Sequence, residues 1–198
     1  MLRSSLLHTP LQNKYVFIRH GQTTANADHI YAGELDVELT DKGRQQAKDA
    51  AEKIPHDVDI VFCSPMKRAC ETAQVLLDDH TITPTSAQFM LDDRLKEKTG
   101  GVVSGMSYDE IAQQYPKEWD RDNTPFKVAI ATAFPEGESD LDVVKRIENL
   151  LVELETTYEG KTILIVSHAG IMLAVRYLLG KSEQEVFADI ASCGVDTY

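Results

Sequence analysis

Two histidines and two arginines stand where apolar runs end, and together they have the chemistry to hold an anion and act on it. Lys14-Tyr15-Val16-Phe17-Ile18 is short, β-branched and aromatic, and it stops at Arg19-His20-Gly21-Gln22-Thr23. Thr162-Ile163-Leu164-Ile165-Val166 is a second run of this kind, ending in Ser167-His168-Ala169-Gly170. A third, Asp59-Ile60-Val61-Phe62-Cys63, turns through Ser64-Pro65 into a helix with Arg68 in its first turn. Each run reads as a buried strand that delivers a polar group at its carboxyl end. A guanidinium stays charged at any useful pH and offers paired N–H donors to an oxyanion. Imidazole titrates near neutrality, so at pH 7 it presents an unprotonated nitrogen. A metal site is the weaker reading, because no close His-x-x-x-His spacing is present and the adjacent arginines oppose a cation.

For these residues to meet, their strands must share a sheet. Strand and helix signals alternate along the chain, which predicts an α/β fold: a three-layer α/β/α sandwich with a mostly parallel central sheet. Parallel strands put their carboxyl ends on one edge, where the loops leave a crevice, so Arg19, His20, Arg68 and His168 face it together. Thr40 caps a helix with the stripe Ala47, Ala50, Ala51 and Ile54, ended by Pro55. Met66, Ala69, Cys70, Ala73, Leu76 and Leu77 mark the core face of the next. Ser139 caps the longest helix in a capping box with Asp142, and Leu141, Val144, Ile147, Leu151 and Leu154 point inward. The stripe Ile171, Met172, Val175, Leu178 and Leu179 follows His168, which sets Ala169 and Gly170 at a helix N-terminus, where unpaired amides favour an anion. A further strand is expected at 82–85 or 88–91, and a last one over 194–198.

Residues 1–13 show no period and read as a mobile or loosely packed arm. Residues 92–137 read as an irregular cap over the crevice, with Gly100-Gly101, Gly105, a short helix over 107–115, three prolines and the sole tryptophan, Trp119. Trp119 is expected to pack within that cap. The 198 residues are expected to form one domain. A net charge of −12 argues against nucleic acid or an anionic membrane surface as partner, so an anionic substrate must be drawn in locally. Cys63, Cys70 and Cys193 have no paired spacing and read as inert thiols in a reducing, cytoplasmic setting. No signal-peptide core or membrane-length apolar stretch is present in the sequence.

In this order the motifs resemble the histidine phosphatase superfamily, which includes the cofactor-dependent phosphoglycerate mutases and many small-molecule phosphatases. The matching pieces are Arg19-His20-Gly21-Gln22-Thr23 with Asn26, Leu39-Thr40 with Gly43, and Ser64-Pro65 with Arg68, Thr72 and Ala73. Arg94-Leu95-Lys96-Glu97 with Gly100, Pro135-Glu136-Gly137-Glu138-Ser139 and Ser167-His168-Ala169-Gly170 complete the set. The resemblance implies a phosphomonoester hydrolase that works without metal or other cofactor on a small phosphorylated metabolite. It makes His20 the nucleophile, carried as a phosphohistidine, and His168, Arg19 and Arg68 the groups that stabilise the transferring oxygens. Glu97 becomes the acid and base, with Glu136 or Glu138 next in line, and Thr23, Asn26 and the Ala169 amide become phosphate contacts. Sequence physics alone does not tell the two histidines apart.

A phosphoglycerate mutase is the alternative, and a non-catalytic phospho-ligand-binding protein the second. Lys98-Thr99-Gly100-Gly101 stands where the mutases carry an Arg-His-Tyr-Gly-like run, and Arg121 has no adjacent arginine, which favours a phosphatase. Gln22 where the family usually has Glu, Ile30 where mutases have Arg, and Cys63 where Ser is common are further departures. His8, His29, His56 and His80 match nothing and are expected on the surface.

Overall fold

A parallel strand covered on both faces must be apolar at nearly every position, and the central runs of this chain satisfy that condition. The computed structural model describes residues 10–78, 88–120 and 123–198. Its elements run β1 (Lys14–Arg19), α1 (Thr24–Ala27), α2 (Asp41–Ala51), β2 (Ile60–Cys63), α3 (Lys67–Asp78), β3 (Gln88–Leu91), α4 (Tyr108–Gln114), α5 (Pro116–Trp119), α6 (Phe126–Ala129), α7 (Asp140–Thr157), β4 (Thr162–Ser167), α8 (Ala169–Leu178), α9 (Glu183–Val186) and β5 (Val195–Thr197). The strands form one sheet in the order β3-β2-β4-β1-β5. All neighbours pair in parallel except β5, which lies antiparallel on β1.

The pleat sorts the side chains into two cores. Tyr15, Phe17, Ile60, Phe62, Ile163 and Ile165 join Ile147, Leu150, Leu151 and Leu154 of α7 and Ile171, Met172 and Val175 of α8. Val16, Ile18, Val61, Leu164 and Val166 turn the other way, onto Ala47, Ala50 and Ala51 of α2 and Ala69, Ala73 and Leu76 of α3. Helices on both faces of a mostly parallel sheet are the architecture expected from the alternation. The inward face of α7 is set by Val143, Val144, Ile147, Leu150, Leu151 and Leu154, while Leu141 in its first turn is only part-buried.

Strand register positions the crevice. Arg19 lies opposite Ser167, and Cys63 opposite Val166. The ladder then continues one step past the strands, with His20 N–H donating to Ser167 O at 2.9 Å and Ser64 N–H to Val166 O at 3.0 Å. Residues 20 and 168 therefore leave adjacent strands at the same level, with Ser64 one step behind them on the next strand, opposite Ser167.

Of the two places proposed for a third strand, 88–91 is β3, and 82–85 lies outside the described residues. Residues 1–9 of the expected arm also lie outside them, but Leu11 to Asn13 are docked. Leu11 packs on the α7 core, and the Asn13 amide group donates to Glu155 Oε1 and Tyr158 O at 3.0 and 2.9 Å. The cap interval holds two short 3-10 turns, α4, α5 and α6, the last two of four residues each. Among the described residues no helix is long and apolar enough to cross a membrane.

Candidate active site

At the carboxyl edge of the sheet lies a cleft of about 380 Å³ whose lining includes Arg19, His20, Thr23, Asn26, Arg68, Glu97, Ala169 and Gly170. His20 is 4 % exposed. Its Nδ1 is 2.7 Å from the Gly21 carbonyl oxygen, and its Nε2 is 3.2 Å from Arg68 Nε. A guanidinium only donates, so Nε2 must be the acceptor and the proton sits on Nδ1. Burial first, then the charges of Arg68 and Arg19, push the imidazole down to about 3. The neutral ring, with an unprotonated Nε2 that accepts from Arg68, is thus its state across the physiological range.

Arg68 is 2 % exposed and held rigidly. Its Nη1 and Nη2 donate to the carbonyls of Leu35 and Gly33, each at 2.8 Å, so the open bidentate fork expected from sequence is already half engaged by backbone. Arg19 reaches across to the Ile190 carbonyl through Nη1, and its buried Nε has no protein partner. Arg19 as a whole lines the cleft, where its guanidinium charge favours an anion.

His168 is placed differently from the expectation that both imidazoles face the crevice. It is wholly buried and is not part of the cleft lining. Its ring packs edge-on to His20 with centroids 5.1 Å apart. Nε2 lies 2.8 Å from Ser64 Oγ, and Nδ1 has no protein partner. Burial, then His20, Arg68, Arg146 and Arg19, hold it well below the ordinary histidine range. Ser64 belongs to the Ser64-Pro65 motif without a role legible from sequence; its position one residue past β2, opposite Ser167, is the signal that sets it beside His168.

Glu97 is brought in by a chain of anchors. Ser167 Oγ donates to Leu95 O at 2.7 Å, and Arg146 donates to Arg94 O. The Glu97 carboxylate then accepts from Lys98 N at 2.8 Å and sits 3.5 Å from the Gly170 amide at the start of α8. A Cβ on Gly170 would come within 2.4 Å of Glu97 Oε1, so the carboxylate keeps this position only beside a glycine and would have to shift for any other residue. The reserve carboxylates lie elsewhere: neither lines the cleft, and Glu138 is bound to Arg146 and to Thr99 N. The further acids in the lining are Asp140 and Asp189, missed from sequence because Asp140 reads only as the first-turn acid of α7.

Thr23 and Asn26 line the cleft but are engaged with each other. Thr23 Oγ1 donates to Asn26 Oδ1 at 2.9 Å and accepts from Asn26 N at 3.1 Å, a capping box for α1. Lys98 also lines the cleft, its ammonium 2.8 Å from Asp140 Oδ1. Among the described residues no group of three or more His, Cys, Asp or Glu side chains could hold a metal ion. Cys63 and Cys193 are buried and their thiols are pushed up, chiefly by burial. His29 and His56 are exposed, while His8, His80 and Arg121 lie outside the described residues.

The chain is 30 % identical over 164 residues to phosphoserine phosphatase 1 of Hydrogenobacter thermophilus, covering 82 % of this chain and 74 % of that one. It is 28 % identical over 203 residues to a 2,3-bisphosphoglycerate-dependent phosphoglycerate mutase of Actinobacillus pleuropneumoniae, covering 86 % and 87 %. A solved mycobacterial glucosyl-3-phosphoglycerate phosphatase superposes with a TM-score of 0.79 at 26 % identity, covering 93 % of this chain and 90 % of that one. The family model described as histidine phosphatase superfamily (branch 1) matches residues 15–195, and the chain belongs to that family.

Proposed function

We propose that the protein hydrolyses phosphomonoesters through a phosphohistidine on His20, without a metal ion. The observation that carries this reading is the unprotonated Nε2 of His20, oriented by Arg68 Nε–H, in a cleft whose lining also holds Arg19, Arg68 and Glu97. In the first step Nε2 attacks phosphorus and the ester P–O bond breaks. Glu97 in its acid form gives a proton to the departing alkoxide. In the second step Glu97 as carboxylate takes a proton from water, the hydroxide oxygen bonds to phosphorus, and the P–N bond breaks to release inorganic phosphate. Arg19 and the remaining N–H groups of Arg68 cancel charge on the equatorial oxygens, as phosphoryl transfer requires. His168, held by Ser64, keeps the nucleophilic ring in place from beneath.

Hydrolysis is favoured over mutase chemistry by the charge beyond the phosphate end. A mutase must hold a carboxylate and retain a second phosphate, whereas Lys98, the further cation in the cleft lining, is already compensated by Asp140.

The test is trapping with a labelled ester. An acid-labile adduct is expected on the native protein in the presence of a chelator and none on His20→Ala; a strict requirement for a divalent ion would overturn the metal-free step. Glu97→Gln is expected to slow alkyl esters far more than an activated aryl phosphate, whose leaving oxygen needs little help from an acid. Equal losses on both ester classes would move the acid role to Asp140 or Asp189.

A further inference from the structure

Tyr31 and Lys98 line the cleft and also line a second cavity of about 510 Å³ among the cap residues, walled by Ala112, Pro116, Trp119, Ala129 and Phe134. That volume lies within the range of about 300–1,000 Å³ usual for small-molecule sites. The two cavities adjoin at Tyr31 and Lys98, which puts the second beside the end of the cleft that a leaving group would occupy.

The wall between them is aromatic. Tyr108 of the cleft stacks at a tilt on Trp119 of the second cavity, centroids 5.5 Å apart, and Tyr31 meets Phe134 edge-on at 6.2 Å. Flat polarizable faces of this kind favour a ring by stacking and edge contacts. Charge disfavours an anionic occupant. Lys98 is the one cation in the lining of the second cavity among the described residues, and its ammonium is paired with Asp140. Glu118 and Asp120 also line that cavity, in a chain of net charge −12. A carboxylate or second phosphate would meet no uncompensated cation there, whereas an uncharged ring needs none.

We propose that this second cavity is the leaving-group subsite and selects phosphomonoesters whose alcohol carries a planar, non-anionic ring. The inference rests on the reading of His20 and its neighbours as the phosphatase centre.

The experiment compares adenosine 5′-monophosphate with ribose 5-phosphate, which release the same type of primary alcohol and differ in the ring. The ratio of kcat/KM, ring-bearing over ring-free, is expected to be about tenfold or more, the effect of one base stacked on an aromatic face. Trp119→Ala, which removes the stacking face, and Ala112→Phe, which fills the cavity, should each bring the ratio toward one. Both esters are read on the same preparation, so partial unfolding of a variant cancels. A ratio at or below one in the native protein, or one unchanged in both variants, overturns the proposal. Trp119 is the sole tryptophan, so its fluorescence gives a second readout that needs no turnover. Saturable quenching by free adenosine, abolished in Ala112→Phe, is expected, and its absence overturns the subsite. If p-nitrophenyl phosphate is turned over while the ratio fails, the subsite alone is wrong. If no ester is turned over, the phosphatase reading is wrong and the fluorescence titration still decides the subsite.

Discussion

Acid is the perturbation that singles out the two buried imidazoles. Unfolded, each titrates near 6.5; folded, His20 is held at about 3 and His168 well below its ordinary value, in both cases chiefly by burial and then by neighbouring charge. The unfolded chain therefore binds protons that the folded chain refuses. Stability is fully present above pH 6.5 and falls as pH drops through 6.5 toward the folded values. The size of the loss at pH 5 depends only on the unfolded value, provided the folded one lies well below 5. For His20, about 1.5 pH units at ~1.4 kcal/mol each is about 2 kcal/mol, and His168 adds to the loss in the same direction. That is a large share of the roughly 5–15 kcal/mol that stabilises an ordinary domain.

Carboxylates act in a separate window. Asp142 is lowered to about 2 by the Ser139 hydroxyl, Lys145 and the Ser139 amide, and Asp59 and Asp92 are lowered as well. Their contribution is present above the ordinary aspartate value of 3.8 and lost below it. Glutamates lowered from 4.5, Glu155 among them, begin to act only as that value is approached, so the interval from pH 6.5 to 5.5 reports on histidines. Urea unfolding across that interval should show stability falling with pH, with a slope of about one proton from His20 and a further contribution from His168. His20→Asn and His168→Asn should each reduce that slope, whatever their effect on absolute stability. A curve flat over the interval, or a slope unchanged in both variants, would refute the claim that the imidazoles are held neutral.

Two further outcomes follow from the same geometry. Ser64→Ala strips the 2.8 Å partner from His168 and leaves both ring nitrogens unpaired in a wholly buried site, so denaturation should show a loss of about 1–3 kcal/mol. Gly170→Ala places a methyl 2.4 Å from Glu97 Oε1 and must displace that carboxylate, so kcat/KM on alkyl esters should fall about tenfold to a hundredfold while thermal unfolding stays cooperative.

What could be read from the chain, and what could not, divides along the regularity of the elements. Arg19, His20, Arg68 and Ala169 follow directly on buried strands or open a helix, and a parallel register leaves them no other place than one edge. Periodicity reveals such positions because the strand is apolar up to the point where chemistry begins. It does not reveal depth: His168 leaves its strand level with His20, yet its ring lies beneath, bonded to Ser64, because α8 starts at once and covers it. Nor does it reveal partners supplied by distant irregular segments. Lys98 and Asp140 are 42 residues apart, and Trp119, Ala129 and Phe134 lie in or beside helices of four residues, too short to carry a period. The residues proposed to act on phosphorus stand at the ends of regular elements, save Glu97, which follows a 3-10 turn, and those proposed to face the leaving group stand on short turns packed against one another. On that proposal the reaction is legible before the substrate, because only the first set stands where an apolar period ends.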